Sequence, residues 1–213
     1  MARATTQGAP PASGRRRTPR KGDVKEAAIL ETAWRLLSEK PVAAISVEDL
    51  ASGAGIHRSS FYFYFDSRDA VIRALAVRTI EDLQQAMLTG VDPSQPGRAL
   101  VRQIITGLLT RWRDQGAMLR AMAAMCDDDP ELMAFWDHVN DEINTRFAEA
   151  IDDARAAGGA LPGPPASVDL VRAMSAMIWR SGYEMSLRPP SAKGFNRLVD
   201  TLTEVTIRSI YGT

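Results

Sequence analysis

Ser46-Val47-Glu48-Asp49-Leu50-Ala51-Ser52-Gly53-Ala54-Gly55-Ile56-His57-Arg58-Ser59-Ser60-Phe61-Tyr62-Phe63-Tyr64-Phe65 is the stretch that decides the fold. Ser46 has the side-chain oxygen that an N-cap needs, and Asp49 stands three residues on, where a capping-box acid belongs. The spacing predicts a short helix over Val47–Gly53 and another over about His57 to Tyr64. Gly55 can take the left-handed conformation that a tight turn between them requires. Leu50 faces inward, Ala51 is small enough for a close crossing, and Ile56 and Phe61 plug the space between the helices. Two short helices joined by a glycine turn form a helix-turn-helix, whose second helix enters a DNA major groove. The far side of that helix offers Arg58, Ser59, Ser60 and Tyr62. Arginine reaches guanine O6 and N7 with two hydrogen bonds, and serine donates to bases or phosphates. His57 stands at the cap position of the second helix and caps less well than serine would.

Outward from this stretch the pattern stays helical, without the alternation that marks strands. A helix is expected from about Asp23, as N-cap, to Glu39, with Ala27, Leu30, Ala33, Trp34 and Leu37 on its apolar side. Lys40-Pro41 ends it. A long helix should start at Ser67-Arg68 and reach about Thr89. Later segments follow at Arg98–Gln115, Ala117–Met125, Glu131–Ala157, Val168–Ser186 and Phe195–Tyr211. Asp127-Asp128-Asp129-Pro130 reads as a helix start, since aspartate caps and proline suits the first helical position. The fold class is all-α with about nine helices.

The chain has 213 residues, 45% of them apolar and 24% charged, enough for a core without staples. One cysteine excludes an internal disulfide, and no apolar run is long enough to suggest a membrane span. The basic N-terminus has no apolar stretch after it, so it is not read as a signal peptide. A soluble, cytoplasmic protein with no membrane partner and no cofactor is the expectation. The net charge is zero, but the balance is uneven: 13 basic and 8 acidic residues lie up to Arg78, leaving the remainder net acidic. That split suggests a polyanion partner at one end. Residues 1–22 hold six basic residues, three prolines and no acid. They read as a disordered basic arm, either a solvated tail or an arm lying along DNA.

Gly55, Ile56, Phe61, Tyr62, Tyr64, Phe65, Ser67 and Arg68 resemble the pattern that follows the turn in the TetR family of bacterial transcriptional repressors. Arg68 stands where that family usually has lysine. The resemblance runs from about Asp23 to Leu83 and is faint between Thr89 and Arg188, and it implies a three-helix DNA-binding head over residues 23–83 and a ligand-binding and dimerisation bundle over residues 84–213. It implies that Ser46 touches a phosphate, that Arg58, Ser59 and Ser60 face bases, and that Tyr62 and Tyr64 contact phosphates or sugars. Arg68 would hold a phosphate beside the N–H groups of its helix. Phe63 either packs inward or touches a thymine methyl. The implied partner is a palindromic or near-palindromic double-stranded operator.

Every methionine except Met1 lies between Met87 and Met185, together with Trp112, Trp136 and Trp179. Such residues also fill an ordinary helical core. The resemblance implies a hollow bundle holding a small apolar effector. Helical phase and side-chain type select Trp112, Met122, Trp136, Asn140, Met174, Ser175, Ile178, Trp179 and Tyr183 as its lining. The last two helices resemble the family's dimerisation elements, with Phe195, Leu198, Val199, Leu202, Val205 and Ile210 as one stripe that packs between or within subunits. A ligand would move the helix Arg68–Thr89 and change the spacing of the two heads.

Other function classes find less support. No His-Glu-x-x-His, Walker loop or cysteine pair is present, so no enzyme is expected. His138, Asp141 and Glu142 could share a metal on one helix face, but a helix-stabilising charge cluster explains them better. Cys126 reads as packing rather than a redox switch. A DNA-binding regulator without small-molecule input would share the whole head and differ in having a solid bundle.

Overall fold

The computed structural model describes residues 21–89 and 97–212. Residues 1–20 of the expected arm and most of the Gly90–Gly97 break lie outside them. Among the described residues the chain forms eight α-helices and one 3-10 turn, Val42–Ala44. The helices are α1 (Lys21–Glu39), α2 (Val47–Gly53), α3 (Arg58–Phe61), α4 (Arg68–Thr89), α5 (Gly97–Asp128), α6 (Pro130–Ala156), α7 (Ser167–Leu187) and α8 (Ala192–Tyr211).

The difference from nine lies in α5. The expected segments Arg98–Gln115 and Ala117–Met125 are one helix, kinked at Gln115, where φ is −126° and ψ is 15°. α1 starts two residues before Asp23, which therefore sits in the first turn rather than at the cap. There its charge still suits the helix dipole. The apolar side of α1 centres on Ile29, Ala33, Leu36 and Leu37, and Ala27 is exposed. α3 closes at Phe61, but the chain keeps winding: the Tyr64 and Phe65 N–H groups donate to the Phe61 carbonyl at 2.9 and 3.1 Å.

The head core is built from Ile29, Ala33, Leu50, Ala51, Phe61 and Val71, all fully buried. The body packs α5 against α7 and α8, with α6 against α7. α4 belongs to both. Val71 and Ile72 bury toward the head end, and Ile80 and Leu83 are buried further along the same unbroken helix. The expected boundary at residue 83 thus falls inside a helix.

Two polar clips hold α4 to α6. Arg73 donates to Asp129 Oδ2 at 2.6 Å and to Glu131 Oε2 at 2.9 Å, and Gln84 donates to Glu142 at 2.7 Å. Asp129 also caps α6, accepting from the N–H groups of Glu131 and Leu132. The Arg73 hydrogen bond holds its carboxyl below the usual carboxylate range.

α7 crosses α5 at Gly182, where a Cβ would lie 2.1 Å from Cδ1 of Trp112. Trp112 is buried and its indole is rigid, so relief is not cheap. Gly182→Ala is expected to destabilise the protein by about 1–3 kcal/mol, the usual cost of overpacking. A thermal melt checks this. An unchanged melting temperature would show that the crossing is loose.

Candidate DNA interface and internal cavity

Ser46 caps α2 with both halves of the capping box present. Its Oγ accepts from the Asp49 N–H at 3.1 Å, and Asp49 Oδ2 accepts from the Ser46 N–H at 2.8 Å. The Ser46 hydroxyl also lies 2.8 Å from Oδ2, so the hydrogen bonds of the box engage it. Lys40 donates to the same carboxylate oxygen at 2.8 Å. That hydrogen bond first, then those from Ser46, bring the Asp49 pKa down to about 2. Gly55 has φ +64°, as the turn requires. His57 makes no side-chain cap, as its chemistry suggested.

Arg58, Ser59, Tyr62 and Phe63 are exposed on one side of α3 and the turn after it. Arg58 makes no ion pair among the described residues. Ser60 is half-buried. Tyr62 is 47% exposed, with its ring edge-on to Phe61 at 5.5 Å. Phe63 is 86% exposed and packs on nothing inward. Tyr64 is half-buried against the head core. Arg68 has a task that the sequence did not announce: its Nη1 lies 3.4 Å from the Val42 and Ile45 carbonyls and 3.5 Å from that of Ala43. It also pairs with Asp69 at 2.7 Å. Its guanidinium fastens the turn that leads into α2.

The body encloses a cavity of about 600 Å³ lined from α4 to α8. Seven of the nine expected lining residues reach it: Trp112, Trp136, Asn140, Met174, Ser175, Ile178 and Trp179. Met122 and Tyr183 do not. Met122 is buried in solid core, and Tyr183 stands behind the cavity wall, edge-on to Trp112 at 5.9 Å and beneath the Arg180 guanidinium. Trp179 packs against Trp112 at 4.7 Å and Trp136 at 4.8 Å. The lining also includes Leu83 and Met87 of α4, Ile105 and Leu108 of α5, and Asn144 and Phe147 of α6. The apolar spacing of α5 was the available signal for its share. Inside, Ser175 donates to Asn144 Oδ1 at 2.8 Å, and Asn140 donates to the Trp136 carbonyl. Arg172 pairs with Asp141 at 3.0 Å, both exposed.

Of His138, Asp141 and Glu142, Asp141 faces Arg172 and Glu142 faces Gln84. No group of three or more metal-ligating side chains occurs among the described residues. Cys126 is buried, and burial with Asp127, Asp129 and Asp137 nearby pushes its thiol pKa up, away from a reactive thiolate. No helix among the described residues is long and apolar enough to cross a membrane.

The family model for bacterial regulatory proteins of the tetR family matches residues 29–75, and that for the C-terminal domain of transcriptional regulator EthR matches residues 101–212. The chain belongs to the TetR family. It is 36% identical to the HTH-type transcriptional regulator EthR of Mycolicibacterium smegmatis, over 94% of this chain and 92% of that protein. It is 33% identical to EthR of Mycobacterium tuberculosis H37Rv, over 98% of both chains. Its fold is that of a TetR-family regulator from Mesorhizobium loti, with a TM-score of 0.71 over 91% of this chain and all of that one, at 16% identity. The chain is a TetR-family transcriptional regulator of the EthR type. Regulators of this family bind DNA operators and dimerise, and the family is one of regulators rather than enzymes.

Proposed function

We propose that this TetR-family protein is a homodimeric repressor released from its operator by a small apolar ligand in the α4–α8 cavity. The observation that carries the reading is that α4 both lines the cavity, through Leu83 and Met87, and supports the head core, through Val71 and Ile72. A ligand that wedges α4 from the body therefore acts on the head without touching DNA. The ligand must favour the released spacing over the DNA-fit spacing.

Arg58, Ser59 and Ser60 face bases in this reading, with Tyr62, Phe63 and Tyr64 beside them. Ser46 and the N-terminal ends of α2 and α4 meet phosphates. Arg68 acts by holding the α1–α2 turn, and the basic arm that precedes α1 adds phosphate contacts. The body from residue 84 onward binds ligand and partner. Most of the expected dimer stripe serves its own subunit, since Val199, Leu202 and Ile210 are buried and Phe195 and Leu198 pack half-buried against the core. What remains for a partner copy is the outer side of α7 and α8, with Ala173, Thr201 and Val205 exposed.

The test is a thermal-shift screen of apolar compounds, followed by mobility shift on the DNA upstream of the gene. A compound at a hundred times its Kd should stabilise by about 2.7 kcal/mol, or raise the melting temperature by roughly 5–10 °C, and release the DNA. Ile104 of α5 also lines the cavity, and Ile104→Trp, which places an indole there, should abolish the shift and weaken DNA binding. A stabilising compound that still works on Ile104→Trp, or one that leaves DNA bound, would count against the cavity as the switch.

A further inference from the structure

We propose that Phe63 reads the 5-methyl group of a thymine in each operator half-site, an inference that rests on the DNA-binding reading of α3. Phe63 is the most exposed of the large apolar side chains among the described residues, at 86%. Its neighbours at 61 and 65 are drawn inward: Phe61 is fully buried and stacks obliquely on Phe65 at 6.2 Å. The backbone does not force the exposure for lack of order, because the Phe63 N–H donates to the Ser60 carbonyl at 3.3 Å and the next two N–H groups return to Phe61. The ring is held out on a fixed support.

Its company identifies what it meets. Arg58 and Ser59 open α3, Tyr62 and Phe63 follow its last residue, Phe61, and all four are exposed. Arg58 and Ser59 have the hydrogen-bonding groups for base edges and phosphates. Phe63 has none. An apolar group set among them has one apolar counterpart on a base edge of the major groove, the thymine methyl. A wedge between base pairs is the other use of a bare apolar side chain, but that belongs to minor-groove binders, and α3 is presented as a major-groove helix.

The experiment uses DNA selected from a random pool by the full-length wild-type protein. The selected duplex is then made twice, once with thymidine and once with deoxyuridine throughout, which removes every 5-methyl group and keeps the hydrogen-bonding edges. Affinities of wild type, Phe63→Ala and Phe63→Leu are measured on both. Wild type should bind the uridine duplex about fifteenfold more weakly, roughly fourfold for each of two heads, the effect of losing one buried methyl. Phe63→Ala should bind the two duplexes within twofold of each other, and Phe63→Leu should keep part of the preference. Because the side chain is exposed, far-UV circular dichroism and melting should be unchanged in both variants. An equal preference for thymidine in wild type and Phe63→Ala overturns the proposal, as does no preference in wild type. If wild type selects no DNA at all, the helix-turn-helix reading fails and this inference falls with it.

Discussion

Replacing Arg58 and Tyr62 together with alanine is expected to reduce specific DNA binding by about a thousandfold. The figure follows from four lost contacts, two per head, at about 1 kcal/mol each: Arg58 at the lower end of what a base-reading contact contributes, and Tyr62 as one hydrogen bond to the DNA backbone. Arg58 is exposed and has no ion pair among the described residues, and Tyr62, 47% exposed, gives up its edge-on contact with Phe61. The pair should therefore cost about 0.5–1.5 kcal/mol of stability, the usual contribution of such an aromatic contact. The loss should also flatten the salt dependence, because an arginine that nears phosphates releases counterions when it binds. Mobility shift at two salt concentrations measures both effects. A double variant that binds like wild type would remove α3 from the DNA and send the search to another surface.

Phe61→Ala is expected to be as damaging by a different route. Phe61 is the largest fully buried side chain of the head and touches the rings of Tyr62 and Phe65. Emptying its place should cost about 4 kcal/mol, transfer and cavity together. At roughly 2–4 °C per kcal/mol the melting temperature should fall by about 8–16 °C. DNA binding should vanish with the head, while the body, whose cavity is lined without Phe61 or any other residue of α1–α3, should still take up an apolar ligand. Calorimetry with and without a stabilising compound separates the two. A loss of ligand binding equal to the loss of DNA binding would mean that head and body fold as one unit.

The head was legible because its chemistry is local. Ser46 with Asp49, Gly55 and the aromatic run are each decided within a few residues, and the structure has the capping box, the left-handed turn and the buried Phe61 where the spacing put them. The lining of the body was legible where large aromatics marked it, at Trp112, Trp136 and Trp179. Contacts between distant segments were not. Nothing near Arg73 announces Asp129, fifty-six residues on. Nothing near Arg68 announces the carbonyls of the preceding turn. The α8 stripe looked available to a partner because an apolar face carries no label saying which body it meets. Packing α5 against it decided most of that question in favour of its own subunit. Tyr183 and Met122 lie outside the cavity lining for a similar reason: helical phase finds the inner side of a helix but not where along its length the interior is hollow.

The unbroken course of α4 through head and body bears on how such a regulator can change over evolution or in the hands of an engineer. A head cannot be exchanged at an arbitrary point between residues 68 and 89 as a loop-linked module could. Each residue inserted in α4 would rotate the head by about 100° and advance it by about 1.5 Å. A seamless chimera must therefore keep the count of residues from Arg73 to Leu83, even where it changes every exposed side chain between them.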